Sequence, residues 1–90
     1  MPIHFAACLN RFDIFKVLIK TGANVNAENH IKSTPLHYAC FEGNLKMVKY
    51  LVKKGADVNM INDFGNKPFD VACDRNQREI VEYLGNLMLK

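Results

Sequence analysis

The sequence predicts an all-α solenoid built from about three helix-turn-helix units. Three observations predict it. Residues recur at a fixed step of 33: Pro2, Pro35 and Pro68; Ala6, Ala39 and Ala72; Leu18, Leu51 and Leu84; Gly22-Ala23 with Gly55-Ala56; Val25-Asn26 with Val58-Asn59; Asn29 with Asn62. Helix starters and breakers stand at the same place in each step. Apolar residues between them fall at helical spacing. A step of roughly 20–50 residues marks a stacked array of supersecondary units. The unbroken step means that each unit meets its neighbour in the same way. The 90 residues are read as one domain, 1–90, with units over about 1–33, 34–66 and 67–90.

The middle unit shows the elements most completely. Thr34 is placed to cap a helix, and Pro35 sits at the first helical position, where its missing N–H costs nothing. A short helix follows through Leu36-His37-Tyr38-Ala39-Cys40-Phe41-Glu42. Gly43 can take the left-handed conformation that ends it. Asn10 and Asn76 hold that slot in the other units, and Asn tolerates the conformation better than most residues. A second helix is expected from Leu45 to about Lys54. Its apolar face is Leu45, Val48, Leu51 and Val52, with Lys46, Lys49 and Lys53 on the other side. Gly55 suits the C-terminal stop. Asp57 to Lys67 reads as a turn-rich connection, with Gly65 placed for a tight turn.

The outer units differ. The first is very apolar for a terminal unit, with Phe5, Phe12, Phe15 and Ile19, although solenoids normally end on polar units. It is therefore read either as part of a longer array or as a face covered by a partner or a second copy. The last unit is more polar. Asp70, Asp74, Arg75 and Gln77-Arg78 replace His37, Phe41, Glu42 and Asn44-Leu45, as a C-terminal cap requires. Leu87, Met88 and Leu89 either fold back on the last helix or lead into a further segment.

The string Thr34-Pro35-Leu36-His37-Tyr38-Ala39-Cys40 resembles the T-P-L-H-x-A signature of ankyrin repeats, and Gly55-Ala56-Asp57-Val58-Asn59 resembles that family's G-A-D-V-N ending. The resemblance covers essentially the whole chain. It implies antiparallel helix pairs joined by β-hairpin-like loops and stacked into a slightly curved slab. It also implies binding through loop tips and the exposed side of the first helices. Carried over residue by residue, those positions are His30, Ile31, Ser33, Asp63, Phe64 and Asn66 in the loops, and Cys8, Leu9, Phe41, Glu42, Asp74 and Arg75 on the helices. They vary between units while the scaffold slots repeat. Ile31, Phe41, Phe64 and Leu9 are apolar beyond what the core needs. They either form an interface or pack against loops of the same surface. Lys32 stands where the family has a loop glycine, so this loop must avoid positive φ or accept strain. Lys67 and Asp70 replace the signature Thr and His, which removes their mutual bond from the last unit.

Other chemistry is read as absent. No catalytic residue, metal site or cofactor is expected. His4 and His37 are read as framework histidines. Equivalent positions of stacked units should lie about 10 Å apart, too far for one zinc ion or for a disulfide between Cys40 and Cys73. Both cysteines are expected to be buried, and Cys8 is the thiol placed for reactivity. Asn26 and Asn59 are read as turn-bonding asparagines. The resemblance also marks Asn59, with Leu51, Asp57 and Val58, and its counterpart Asn26, as candidates for hydroxylation.

The net charge of +3 is too mild for a nucleic-acid binder. Lys16, Lys20, Lys46, Lys49, Lys53 and Lys54 form a stripe read as a solvated face or an anionic docking surface. No run approaches the roughly 20 apolar residues of a membrane span, and the start does not read as a signal peptide. Three scattered cysteines suit a reducing cytoplasmic or nuclear setting. The expected function is a protein-interaction scaffold, not an enzyme. The alternatives are a regulatory or targeting part of a larger multidomain protein, and a homo-oligomeric structural element paired through the apolar first unit.

Three units are close to the minimum for a stable array. Deleting residues 67–90 is expected to leave a chain without a cooperative thermal transition, as followed by circular dichroism. A clean melt of the truncated chain would show that the last unit is not needed as a cap.

Overall fold

The computed structural model describes residues 2–9 and 11–89, without the side chains of Pro2, Phe5 and Cys8. The described residues form six helices: α1 (Pro2–Cys8), α2 (Phe12–Lys20), α3 (Pro35–Glu42), α4 (Leu45–Lys53), α5 (Pro68–Asp74) and α6 (Arg78–Met88). They contain no strand. The first helices α1, α3 and α5 pack on one another in a row, and each second helix packs against the first of its own unit. Ala6, Ala39 and Ala72 are buried in that row. A small side chain at this slot lets the helices approach closely.

The caps follow the residues. Thr34 precedes α3 in an extended conformation, its hydroxyl accepts the His37 N–H, and Pro35 opens the helix. Gly43 (φ 79°) and Asn76 (φ 57°) end first helices in the left-handed region. Asn10 lies outside the described residues. Asn44 starts α4 by accepting the Met47 N–H at 3.0 Å. The second-helix face is deeper than the spacing suggested. Val48 and Leu51 are fully buried together with Met47, while Leu45 and Val52 are only partly covered.

Histidines tie unit to unit. The Thr34 N–H donates to His37 Nδ1 at 3.0 Å, so the proton sits on Nε2, which donates to the Asn66 carbonyl at 2.9 Å. His4 Nε2 likewise reaches the carbonyls of Ala27 at 2.7 Å and Ser33 at 2.9 Å. Both rings are buried, and the burial pushes their pKa below the usual histidine value. In the last unit the Thr–His pair is missing, as the sequence required. The Asp70 carboxylate takes its place by accepting the Lys67 N–H at 2.9 Å.

The loops are closed by asparagines. Asn29 Oδ1 accepts the N–H groups of Ile31 and Ser33, and Asn62 Oδ1 accepts those of Phe64 and Asn66. Each loop adds two backbone bonds: Asn29 N–H to Ser33 O and Lys32 N–H to Asn29 O in the first, Asn62 N–H to Asn66 O and Gly65 N–H to Asn62 O in the second. Within this frame Lys32 does adopt positive φ, at 59°, where its counterpart Gly65 has 79°. Neighbouring loops are joined by the Asp63 N–H donating to the Ile31 carbonyl at 2.9 Å. Asn26 also works between units rather than within its own turn. Its Oδ1 accepts the Asp57 N–H at 2.7 Å and its Nδ2 donates to Gly55 O at 3.3 Å.

Three expectations are corrected or narrowed. Cys40 is buried, but Cys73 is exposed, because no described unit covers the outer side of the last pair. Phe15 belongs to the core, and Phe12 packs edge-on against Tyr50 at 5.6 Å. The exposed apolar residues of the first unit are instead Leu9, Ile14 and Val17. Leu87 to Leu89 do not fold back. The helix α6 continues through Met88, with Leu87 against the core and Leu89 exposed. Phe5 and Cys8 have side chains outside the described set.

Two predictions follow from this framework. The folded pKa of His4 and His37 lies below the ordinary value of 6.5. Their stabilisation is therefore complete above about pH 6.5 and is lost as pH falls towards the folded values, by up to about 1.4 kcal/mol per pH unit for each ring. Urea midpoints should be flat between pH 7 and 8 and fall below pH 6.5; a profile level down to pH 5 would contradict it. Secondly, a left-handed Lys costs roughly 1–2 kcal/mol, offset in part by the extra freedom of an unfolded glycine. Lys32→Gly should raise stability by about 0.5–1 kcal/mol. Gly65→Ala should lower it by about 1 kcal/mol through its dihedral alone, since an added Cβ there meets nothing within 4 Å. Both are read from thermal midpoints.

Candidate interaction groove

A groove of about 360 Å³ runs between α3, α5 and the loops that precede them. Its floor is polar and already satisfied. Ser33, His37 and Asn62 are buried there, and Asn62 Nδ2 donates to Ser33 Oγ at 3.2 Å. Its walls are apolar: Ile31, Tyr38, Phe41, Phe64 and Val71. Asn66, Asp74 and Arg75 complete the lining.

Each wall residue is held by local structure. Phe41 occupies the last turn of α3 and is 44% exposed. The Arg75 guanidinium lies over its ring at 4.1 Å, a cation–π contact made from the next unit. Gln77 Nε2 donates to the Phe41 carbonyl at 3.2 Å, which fixes the end of that helix. Phe64 is 71% exposed because the Asn62 turn sets it at the loop tip. The Tyr38 hydroxyl accepts from Asn29 Nδ2 at 2.6 Å, and its ring meets His4 edge-on at 5.9 Å.

The structure sorts the sequence-derived positions. Ile31, Phe41, Phe64, Asn66, Asp74 and Arg75 come together around the groove. Ser33 also lies there, but it is 3% exposed and serves the floor rather than a contact surface. His30, Glu42 and Asp63 are exposed outside the lining, and Leu9 is exposed away from it. Sequence reading missed Tyr38 and Val71. They share one slot of the 33-residue step and differ in type, which is the signal that marked the other variable positions.

The groove's charges are available. Among the described residues the ion pair formed is Arg11–Asp13, at 3.6 Å on the surface. Among the described residues, Asp74 and Arg75 of the lining and Asp63 beside it form no ion pair. The lysines of the second helices are exposed, and Lys16, Lys49 and Lys54 lie over Phe12, Tyr83 and Tyr50 at 4.9, 5.6 and 5.6 Å.

Other candidate chemistry is weakly equipped. Burial pushes the Cys40 thiol up to about 12, so it is protonated at neutral pH. Among the described residues no group of three or more His, Cys, Asp or Glu side chains is arranged to hold a metal ion. None of the helices there is long and apolar enough to cross a membrane. Of the two asparagines named for modification, Asn26 uses its amide between units while Asn59 is exposed, with its N–H donated to Asp57 Oδ1 at 2.9 Å.

Comparison with known proteins agrees with this architecture. Residues 3–88 match the family model described as ankyrin repeats, in three copies. Over 34 residues, 38% of the chain, the sequence is 50% identical to ankyrin repeat protein OPG189 of vaccinia virus (strain Western Reserve) and of monkeypox virus. The corresponding protein of variola virus is 47% identical over the same length. The chain matches 6% of the length of each of these relatives.

Proposed function

This chain belongs to the ankyrin-repeat family, and we propose that it binds another protein in the groove between Phe41 and Phe64. Ankyrin repeats are generally protein-interaction modules. The observation that carries the reading for this chain is the pair of exposed phenylalanines, 44% and 71%, on a frame that does not need them for its core. Tight hydrogen bonding of the loops keeps Phe64 from collapsing onto the floor. Little ordering remains to be done on binding, which is the main saving of a preformed site. An apolar anchor of the partner enters between Phe41, Phe64, Ile31 and Val71, while Arg75, Asp74 and Asp63 set orientation at the rim. Aromatic and arginine side chains of this kind dominate binding energy at interfaces. On this reading the module binds and does not catalyse.

A second reading is favoured by the comparison of lengths. The chain matches only 6% of its relatives' length, and on this reading the same groove is the targeting or regulatory part of a larger protein.

The test is a paired capture. Proteins retained by the wild-type chain from its native cell, and lost with Phe41→Ala/Phe64→Ala, are identified by mass spectrometry and titrated in purified form. The double variant is expected to weaken binding by at least about 2 kcal/mol, some thirtyfold, with a thermal midpoint nearly unchanged. A large fall in the midpoint would assign the two rings to the core instead.

A further inference from the structure

The second helices carry a charge pattern that the groove does not use. Among the described residues, none from α2, α4 or α6 except Arg78-free surroundings of the groove is needed there: its lining comes from the first helices and their loops. Lys16 and Lys20 on α2, Lys46, Lys49 and Lys53 on α4, and Lys54 just after it are all exposed. The remaining charges of stretches 11–20 and 45–54 are Arg11 and Asp13, which pair with each other at 3.6 Å. The six lysines therefore give these two stretches a net charge of +6. The whole chain carries +3, so all its other residues together carry −3.

The lysines are arrayed rather than scattered. Residues three and four apart lie on one side of a helix, which groups Lys46, Lys49 and Lys53 on α4 and Lys16 and Lys20 on α2. Lys16 and Lys49 are equivalent positions one 33-residue step apart, and so are Lys20 and Lys53. The edge-on contact of Phe12 with Tyr50 at 5.6 Å joins the two helices and sets the rows side by side. Like charges so spaced repel one another, and among the described residues none of the six lysines forms an ion pair. The ammoniums of Lys16, Lys49 and Lys54 rest over Phe12, Tyr83 and Tyr50 at 4.9, 5.6 and 5.6 Å, which restrains them. The array stops at α6, where Glu79 and Glu82 hold the slots of Lys46 and Lys49 and are exposed.

We infer that the lysine face of α2 and α4 is a second interaction surface, separate from the groove, and that its occupant is a carboxylate-rich segment of a protein. Two features select this occupant. The basic area is only two helices wide, with axes about 8–10 Å apart, and each helix is about 13 Å long. That suits one extended or helical segment. A bilayer or a nucleic-acid duplex laid across the second helices would also meet Glu79 and Glu82. The rings of Phe12, Tyr50 and Tyr83 pack against the core and carry ammoniums over them. They offer the bases of a single strand no free platform for stacking.

Fluorescence anisotropy with a labelled peptide of about eight glutamates, long enough to cross both helices, tests this on the whole chain. The peptide is expected to bind at about 50 mM salt and to weaken at least about tenfold by 0.3 M, since exposed charges are screened. Lys20→Glu/Lys46→Glu/Lys53→Glu changes three lysines whose ammoniums lie over no described ring, and brings the face to zero net charge. It should weaken binding at least tenfold, and Lys20→Gln/Lys46→Gln/Lys53→Gln should fall between it and the wild type. Lys20→Arg/Lys46→Arg/Lys53→Arg should bind like the wild type, and circular dichroism should show all three variants folded. Phe41→Ala/Phe64→Ala should leave peptide binding unchanged. Loss of binding in that groove variant would place the peptide in the groove and overturn the inference. So would undiminished binding by the glutamate variant, or equal binding of a peptide alternating glutamate and lysine. Tighter binding of an oligothymidylate of equal charge, or of phosphatidylserine vesicles, would overturn it in favour of a nucleic acid or a membrane.

Discussion

No helix pair in this chain can cover both of its own sides, so each depends on the pair beside it. Helices of seven to nine residues such as α1 to α5 are too short to be stable alone in water. Burial against a neighbour supplies what length does not. Phe15, Leu36, Met47, Leu51, Ile80 and Leu84 are all removed from solvent in one continuous core that runs through the three units. The signature histidine adds direction to that burial. A neutral ring accepts the Thr34 N–H at its own helix start and donates to Asn66 in the loop ahead. Non-directional packing then holds the units together, and the histidines fix how they are turned.

The groove is a consequence of this arrangement. The loops before α3 and α5 are closed by Asn29 and Asn62, and the buried polar floor of Ser33, His37 and Asn62 leaves little hydrogen-bonding demand unmet. Side chains on such a frame have nowhere inward to go. Phe41 and Phe64 therefore stand in solvent, and the Arg75 guanidinium over Phe41 gives that ring an amphipathic rim. The same rigidity is tolerant of local strain, since Lys32 is held at φ 59° by its own N–H donated to the Asn29 carbonyl and by the bonds of Ile31 and Ser33.

Much of the fold was legible because a repeated interface leaves a repeated residue. Pro35 and Pro68, Ala39 and Ala72, Leu51 and Leu84 recur because their surroundings recur. Gly43 and Asn76 were readable because few residues accept a left-handed backbone. The candidate site was legible in outline for the opposite reason: its slots vary where the scaffold does not. Ser33 was misplaced because a loop position near a tip can still turn its hydroxyl inward, towards Asn62 of the next unit. Tyr38 and Val71 were overlooked because their place on a packed helix reads as core, although they face the groove.

The sequence by itself determined the period, the helix pairs, their caps and stops, and the family. All of these depend on local backbone chemistry or on contacts that repeat at a constant step. Only the tertiary structure decided which equivalent residues share a fate. Cys40 is buried and Cys73 is not, Met47 is buried and Ile14 is not, and Asn26 bridges two units while Asn59 stays exposed. The physical reason is that exposure belongs to a residue together with whatever lies against it. In a stack, that neighbour comes from another unit, one 33-residue step away in the sequence.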